Sequence, residues 1–164
     1  MFDALKRLFS DLKARAPEPT FALDDPRLAV AALMCHVIAV DGVVRPAERT
    51  AMIATLADRY GLTTAEAGQL AEAAREAELE TAALKRFTAG LARSLPIDER
   101  RDIVAALWRL IFADGAVHEF EDNVVWRIAD MLGVSAAERT AIRKRIEADL
   151  EESAMRTAAT VEAR

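Results

Sequence analysis

Two short acidic elements recur in this sequence, and they contain the residues best suited to cation chemistry. The first is AVDGVVRPAER at residues 39–49, and the second is FADGAVHEFED at residues 112–122. Both follow the pattern D-G-x-V-x-x-x-E. Carboxylate oxygens are the ligands that hard divalent cations prefer. The candidate metal ligands are therefore the four repeated carboxylates, Asp41, Glu48, Asp114 and Glu121.

The pattern matches only the second half of an EF-hand calcium loop, which holds a ligand carboxylate, the turn glycine, an apolar residue and the closing glutamate. Where two earlier ligands should stand, the sequence has Val37 and Ala39 in one copy, and Leu110 and Phe112 in the other. Calcium needs roughly six to eight oxygen ligands. Neither loop can therefore hold a calcium ion by itself.

Two interpretations of the acidic element stay open. In the first it only connects two helices: the glycine makes the left-handed turn that ends a helix, the valine packs under the loop, and the acidic residues stabilise the start of the next helix. In the second, Asp41 and Glu48 approach other carboxylates or water molecules, and together they form a shared, low-affinity site. The cation would be divalent, and the sequence does not specify which one.

Two polar residues interrupt the apolar helices at equivalent places. His36 and Arg109 each lie five residues before the aspartate of their own copy. A buried cation needs an acidic or carbonyl partner, so we expect both side chains to bond with loop carbonyls or carboxylates. A metal-ligand role for His36, or for His118 in the second loop, is the alternative.

Composition and charge exclude several classes of function. The 164 residues suit one compact domain, and the net charge of −5 disfavours nucleic-acid binding. The sequence has no Gly-rich phosphate loop and no Glu-x-x-His helical pair, and no base is visible for the lone Cys35. We therefore expect a protein that is not an enzyme, has no nucleic-acid partner and buries Cys35 as a free thiol.

Ala, Leu, Glu and Arg dominate while Gly is scarce, which predicts an all-α fold. Asp25 before Pro26 is a helix start, and Ser135 with Glu138 forms a capping box. From such signals we expect helices at about residues 26–40, 46–61, 64–77, 81–94, 98–114 and 119–132, with a last helix after Ser135.

The two acidic elements lie in longer matching blocks, which indicates an internal duplication of a helix–loop–helix hairpin. VIAVDGVVRPAER leads to LADRYGLTTAE, and LIFADGAVHEFED leads to IADMLGVSAAE. The apolar helices before the acidic elements, at 28–40 and 103–113, should be central. We expect one bundle of about seven to eight helices built from these two halves, with the helices at 64–77 and 81–94 bridging them.

Residues 1–16 differ from the rest of the chain. They carry four basic and two acidic side chains, and on a helix their apolar residues fall in one stripe about 120° wide. These apolar residues are Phe2, Leu5, Leu8, Phe9 and Leu12. We expect the segment to dock on the helical domain or on a second copy of the chain, as in a homodimer. A helix on a membrane surface and disorder are the alternatives.

The domain organisation and location follow from these segments. We expect the amphipathic segment 1–16, a linker at 17–25, a helical domain at 26–150 and a C-terminal tail at 151–164. No secretory signal is visible, and the longest apolar run is shorter than the roughly 20 residues that span a bilayer. We expect a cytoplasmic protein, at most peripheral to the inner membrane.

The two DG hairpins, with their closing segments ADRYGL and ADMLGV, resemble the TerB-like family, the fold of tellurite resistance protein B. The resemblance covers about residues 26–150. It implies an all-helical fold of two related halves in a bacterial protein linked to metal or chemical stress. In that family clustered acidic residues are suspected to bind divalent cations, which here implies Asp41, Glu48, Asp114 and Glu121.

Two functions are consistent with these observations. The first, which the sequence favours, is a helical interaction module that docks a partner protein, or the membrane through residues 1–16. The alternative is a divalent-cation-responsive module. In that case, an ion on the two acidic loops would change the stability of the protein or its choice of partner.

Overall fold

The computed structural model describes residues 21–78, 82–113 and 119–163. Within these ranges the chain is all-helical, which confirms the predicted fold class. The seven helices are α1 (Pro26–Ile38), α2 (Pro46–Tyr60), α3 (Thr64–Glu78), α4 (Ala83–Ser94), α5 (Ile97–Ile111), α6 (Glu119–Met131) and α7 (Ala136–Glu162). The predicted amphipathic segment 1–16 lies outside the described residues.

Local capping explains where several helices begin and end. The Asp25 carboxylate accepts a hydrogen bond of 2.9 Å from the backbone N–H of Arg27 at the start of α1. Ser135 and Glu138 exchange hydrogen bonds at the start of α7. Gly61 ends α2 in the left-handed conformation with φ of 62°, which glycine adopts without a steric penalty. These signals act within a few residues, so the sequence predicted them correctly.

The two apolar helices α1 and α5 form the centre of the bundle, as predicted. α1 buries ten side chains and packs most extensively against α3 and α4, and also against α5. α5 packs against both α6 and α7. The two related hairpins, α1–α2 and α5–α6, therefore meet through their most apolar helices.

Only one of the two helices expected to bridge the hairpins does so. α4 contacts α1 on one side and both α5 and α6 on the other. α3 contacts α1, α2 and α4, and its described residues do not reach α5, α6 or α7. The buried side of α3 is lined by Ala67, Leu70, Ala74 and Ala77. These mostly small residues let the helix lie close against α1, which keeps it on the first hairpin.

α7 runs well beyond the body of the bundle. Ile142 and Ile146 are buried in its first half, whereas every residue from 148 to 163 is exposed. Residues 151–162, which the sequence suggested as a tail, continue this helix. None of the helices in the described ranges is long and apolar enough to cross a membrane.

Candidate functional site

Three of the four predicted cation ligands lie together where the two hairpins meet. Glu48 is in the first turn of α2, Glu121 is in the first turn of α6, and Asp41 lies in the loop after α1. Glu48 and Glu121 both have an exposed fraction of 0%. We call Asp41, Arg45, Glu48 and Glu121 the acidic junction. Asp114 and His118 lie outside the described residues.

One arginine connects the three carboxylates of the acidic junction. Nη1 of Arg45 donates to Oε1 of Glu121 at 3.1 Å and lies 3.5 Å from Oε1 of Glu48. Nη2 of Arg45 donates to Oδ2 of Asp41 at 2.8 Å. Because Glu121 belongs to the second hairpin and the other residues to the first, this guanidinium bonds the two halves to each other.

The local geometry of the first loop shows why these residue types are present. Gly42 has φ of 79°, a conformation that glycine favours. Oδ1 of Asp41 accepts the backbone N–H of Val43, and Oε2 of Glu48 accepts the backbone N–H of Arg45. Asp41 and Glu48 therefore close the loop and cap α2, as the connector interpretation predicts. That interpretation is wrong about Val44, which is 49% exposed and does not pack under the loop.

Glu121 is the residue that the connector interpretation does not explain. Burial, and then the neighbouring charge of Glu48, raise the pKa of Glu121 to about 7, although the guanidinium of Arg45 acts in the opposite direction. Its Oε2 is buried and has no hydrogen-bond partner in the part of the chain that the structure describes. Near neutral pH this carboxyl group therefore exchanges readily between a protonated and an ionised form.

The conformation of the acidic junction is organised around an arginine. Among residues 21–78, 82–113 and 119–163, no three His, Cys, Asp or Glu side chains are arranged so that they could hold a metal ion. The cation that the described carboxylates share is the guanidinium of Arg45. A metal ion at the same place would require Arg45 to move away and the carboxylates to close in.

Arg45 was not among the predicted site residues, although the repeat contains a signal for it. Arg45 lies four residues after Asp41, and His118 lies four residues after Asp114. A basic residue therefore occupies the same place in both copies. An arginine three or four residues from two carboxylates can pair with both of them at a helix start.

The two polar residues of the apolar helices have different surroundings. Nδ1 of His36 lies 2.7 Å from Oε1 of Glu78, so His36 has a carboxylate partner, but on α3 and not in a loop. Arg109 is exposed on α5, so it does not need a buried partner, and its bond to the following loop stays a prediction because residues 114–118 lie outside the described ones. Equivalent positions in the two copies have therefore diverged.

Comparison with known proteins places the chain in a family with a helical-bundle fold. The family described as tellurite resistance protein TerB matches residues 27–144. The chain belongs to the TerB family. No curated protein and no solved structure matches it.

Proposed function

We propose that this protein is a non-enzymatic helical module whose acidic junction responds to a divalent cation. The observation that carries the proposal is Glu121, a fully buried carboxyl group with a raised pKa and one oxygen without a described hydrogen-bond partner. A buried carboxylate in this condition is stabilised by any cation that can reach it. The family description, tellurite resistance, supports a role in the response to metal or chemical stress.

The charges at the junction favour a further cation. When Glu121 is ionised, the described part of the junction holds three carboxylates and one guanidinium. Among these described groups the carboxylates therefore outnumber the guanidinium by three to one. A divalent cation would take the place of the proton on Glu121 and of the single charge of Arg45.

The position of Arg45 gives the ion a route into the junction. The Arg45 side chain is 24% exposed, so its guanidinium can turn to solvent while Glu48 and Glu121 stay buried. The oxygens that it now holds would then become ligands of the ion. Since these oxygens come from both hairpins, ion binding would change how tightly the two halves are held together.

We expect a divalent cation to raise the melting temperature of the protein. Binding to the folded state alone stabilises it by roughly 2.7 kcal/mol when the free ion is at a hundredfold excess over its dissociation constant. For a domain of this size the shift is about 5–10 °C. Calcium, magnesium, manganese and zinc should each be titrated during thermal unfolding followed by circular dichroism.

Matched variants show whether the acidic junction is the binding site. Glu121→Gln and Asp41→Asn should lose most of the cation-induced rise in melting temperature, because an amide keeps the shape of the side chain without its charge. Glu76→Gln is the control, because Glu76 is exposed on α3. If none of the four ions stabilises the wild type at millimolar concentration, or if all variants respond equally, the cation-responsive function is wrong.

A second candidate, an interaction module that needs no ion, is favoured by the exposed half of α7. Fifteen consecutive residues, 148–162, are helical and exposed. A helix of this length is marginally stable in water unless it packs against something. Leu150 and Val161 are 39% and 71% exposed, and they continue the face that buries Ile142 and Ile146. This face would bind a partner protein.

We expect a Leu150→Glu, Val161→Glu variant to lose partners that the wild type retains in an affinity pull-down, while its thermal unfolding stays nearly unchanged. The control is Ala159→Glu, which puts the same charge on the opposite side of α7. The pull-down should be run with and without the ions used above. Partners retained equally by both variants would exclude this face of α7 as the binding surface.

A further inference from the structure

An open groove lies between the start of α1 and the outer side of α4. Its volume is about 520 Å³. Leu23, Pro26 and Ala29 line one side, and Phe87, Gly90 and Leu91 line the other. Leu23 is 62% exposed, a large apolar side chain at the rim. The groove therefore presents a mostly apolar surface away from the acidic junction.

The described chain begins at the edge of this groove. Phe21 is buried, with the guanidinium of Arg27 4.9 Å from the centre of its ring, so the chain is held in place at this point. Only residues 17–20 separate Phe21 from segment 1–16. Four extended residues span at most roughly 14 Å. Segment 1–16 is therefore tethered close to the groove, at an effective concentration on the order of millimolar.

The apolar stripe and the lysine edge of the segment match the groove and its α1 rim. Its apolar stripe, if helical, has Lys6 and Lys13 along one edge and Arg15 along the other, with Asp11 further round the helix. The groove has Asp24 on the α1 side and two arginines, Arg86 and Arg93, on the α4 side. A helix lying in the groove with its lysine edge toward α1 would bury its stripe and bring lysine and Asp24 together at that rim.

We infer that the groove between α1 and α4 binds the amphipathic segment 1–16 of the same chain. An amphipathic helix in an apolar groove is a common mode of recognition, and a short tether makes it favourable even when the contact itself is weak. Docking covers the apolar stripe. While the segment is docked, the stripe cannot contact a membrane surface or a second copy of the chain.

The test uses the full chain with a nitroxide attached to a Ser10→Cys variant. Ser10 lies on the side of the segment opposite the stripe, so the label does not enter the groove. Cys35 is buried, and burial raises the pKa of its thiol to about 12, so it reacts slowly with the label. We expect the label to broaden the amide signals of Gly90, Leu91 and Ser94, independently of protein concentration.

Two glycines provide a matched pair of variants. A Cβ at Gly90 or at Gly68 would meet nothing within 4 Å, so both helical sites accept a side chain. Gly90→Trp fills the groove and should displace the labelled segment, so the broadened signals should become sharp again. Gly68→Trp on α3 should leave them broadened. Gly90→Ala, which fills little of the groove, should also leave them broadened.

Three results would overturn the inference. Groove signals that the label does not broaden would show that the segment does not dock there. Broadening that appears only when the label and the isotope are on different chains would assign the groove to a second copy. Broadening that persists in Gly90→Trp would place the segment elsewhere on the domain.

Discussion

An Arg45→Met variant is expected to melt well below the wild type at about pH 8 and much closer to it at about pH 5. The substitution removes the guanidinium that Asp41, Glu48 and Glu121 share, and it leaves two fully buried carboxyl groups facing each other. Removing one partner of a buried ion pair is strongly destabilising, because the remaining charge stays buried without compensation.

The pH dependence follows from the raised pKa of Glu121. The pKa is 4.5 ordinarily and about 7 in the folded protein, so between these values the folded state binds more protons than the unfolded chain. The free energy of unfolding therefore falls as the pH rises through this window. Without Arg45 the pKa of Glu121 should rise further, because the guanidinium is what lowers it. The free energy of unfolding should therefore fall more steeply with pH in Arg45→Met than in the wild type.

Two further variants make this experiment decisive. Arg45→Met combined with Glu121→Gln should recover much of the loss at about pH 8, since the amide has no charge to bury. Arg49→Met is the control, an exposed arginine one helical turn away, and should have little effect. Thermal unfolding at both pH values measures all four proteins. If Arg45→Met lowers the melting temperature equally at the two pH values, the effect does not come from the buried carboxylates.

We expect Trp108→Ala to lower the free energy of unfolding by about 3–5 kcal/mol, as is usual for a large aromatic residue in a core. Trp108 is fully buried on α5. Its ring stacks with Phe112 at 6.0 Å between ring centroids and meets Trp126 edge-on at 6.1 Å. At about 2–4 °C per kcal/mol, the melting temperature should fall by roughly 6–20 °C.

A Trp108→Phe variant should lose much less of the free energy of unfolding than Trp108→Ala does. Nε1 of Trp108 is buried without a hydrogen-bond partner in the described part of the chain, and such a donor costs roughly 1–3 kcal/mol. Phenylalanine keeps a ring in the core and removes that donor. Trp126→Ala is the control, because Trp126 is only partly buried. In chemical denaturation, the free energy of unfolding of Trp126→Ala should lie between those of Trp108→Phe and Trp108→Ala. Equal losses for Trp108→Phe and Trp108→Ala would show that an aromatic ring at this position adds nothing to the stability of the core.

The helices themselves were predictable because their signals are local. The cap at Asp25, the left-handed Gly61 and the Ser135–Glu138 box all act through hydrogen bonds within a few residues. The central positions of α1 and α5 were also predictable. A helix that is apolar on most sides is stable in water only when other helices surround it.

The duplication showed that Glu48 and Glu121 are equivalent, but it could not show that they meet. Their side chains come together because α2 packs against α5 while α6 packs against α1 and α5, so the starts of both helices reach the same junction. That arrangement depends on contacts between distant parts of the chain. Burial through this packing raises the pKa of Glu121 and makes Arg45 the shared partner.

The sequence by itself determined an all-helical, duplicated protein of the TerB family and three carboxylates of its acidic junction. Only the tertiary structure decided that an arginine connects them, that Arg109 is exposed while His36 pairs with Glu78, and that a groove opens beside Leu23. Caps and apolar periodicity depend on neighbours along the chain. Charge pairing, burial and grooves depend on which helix surfaces meet, and that choice is made by the packing of the whole core.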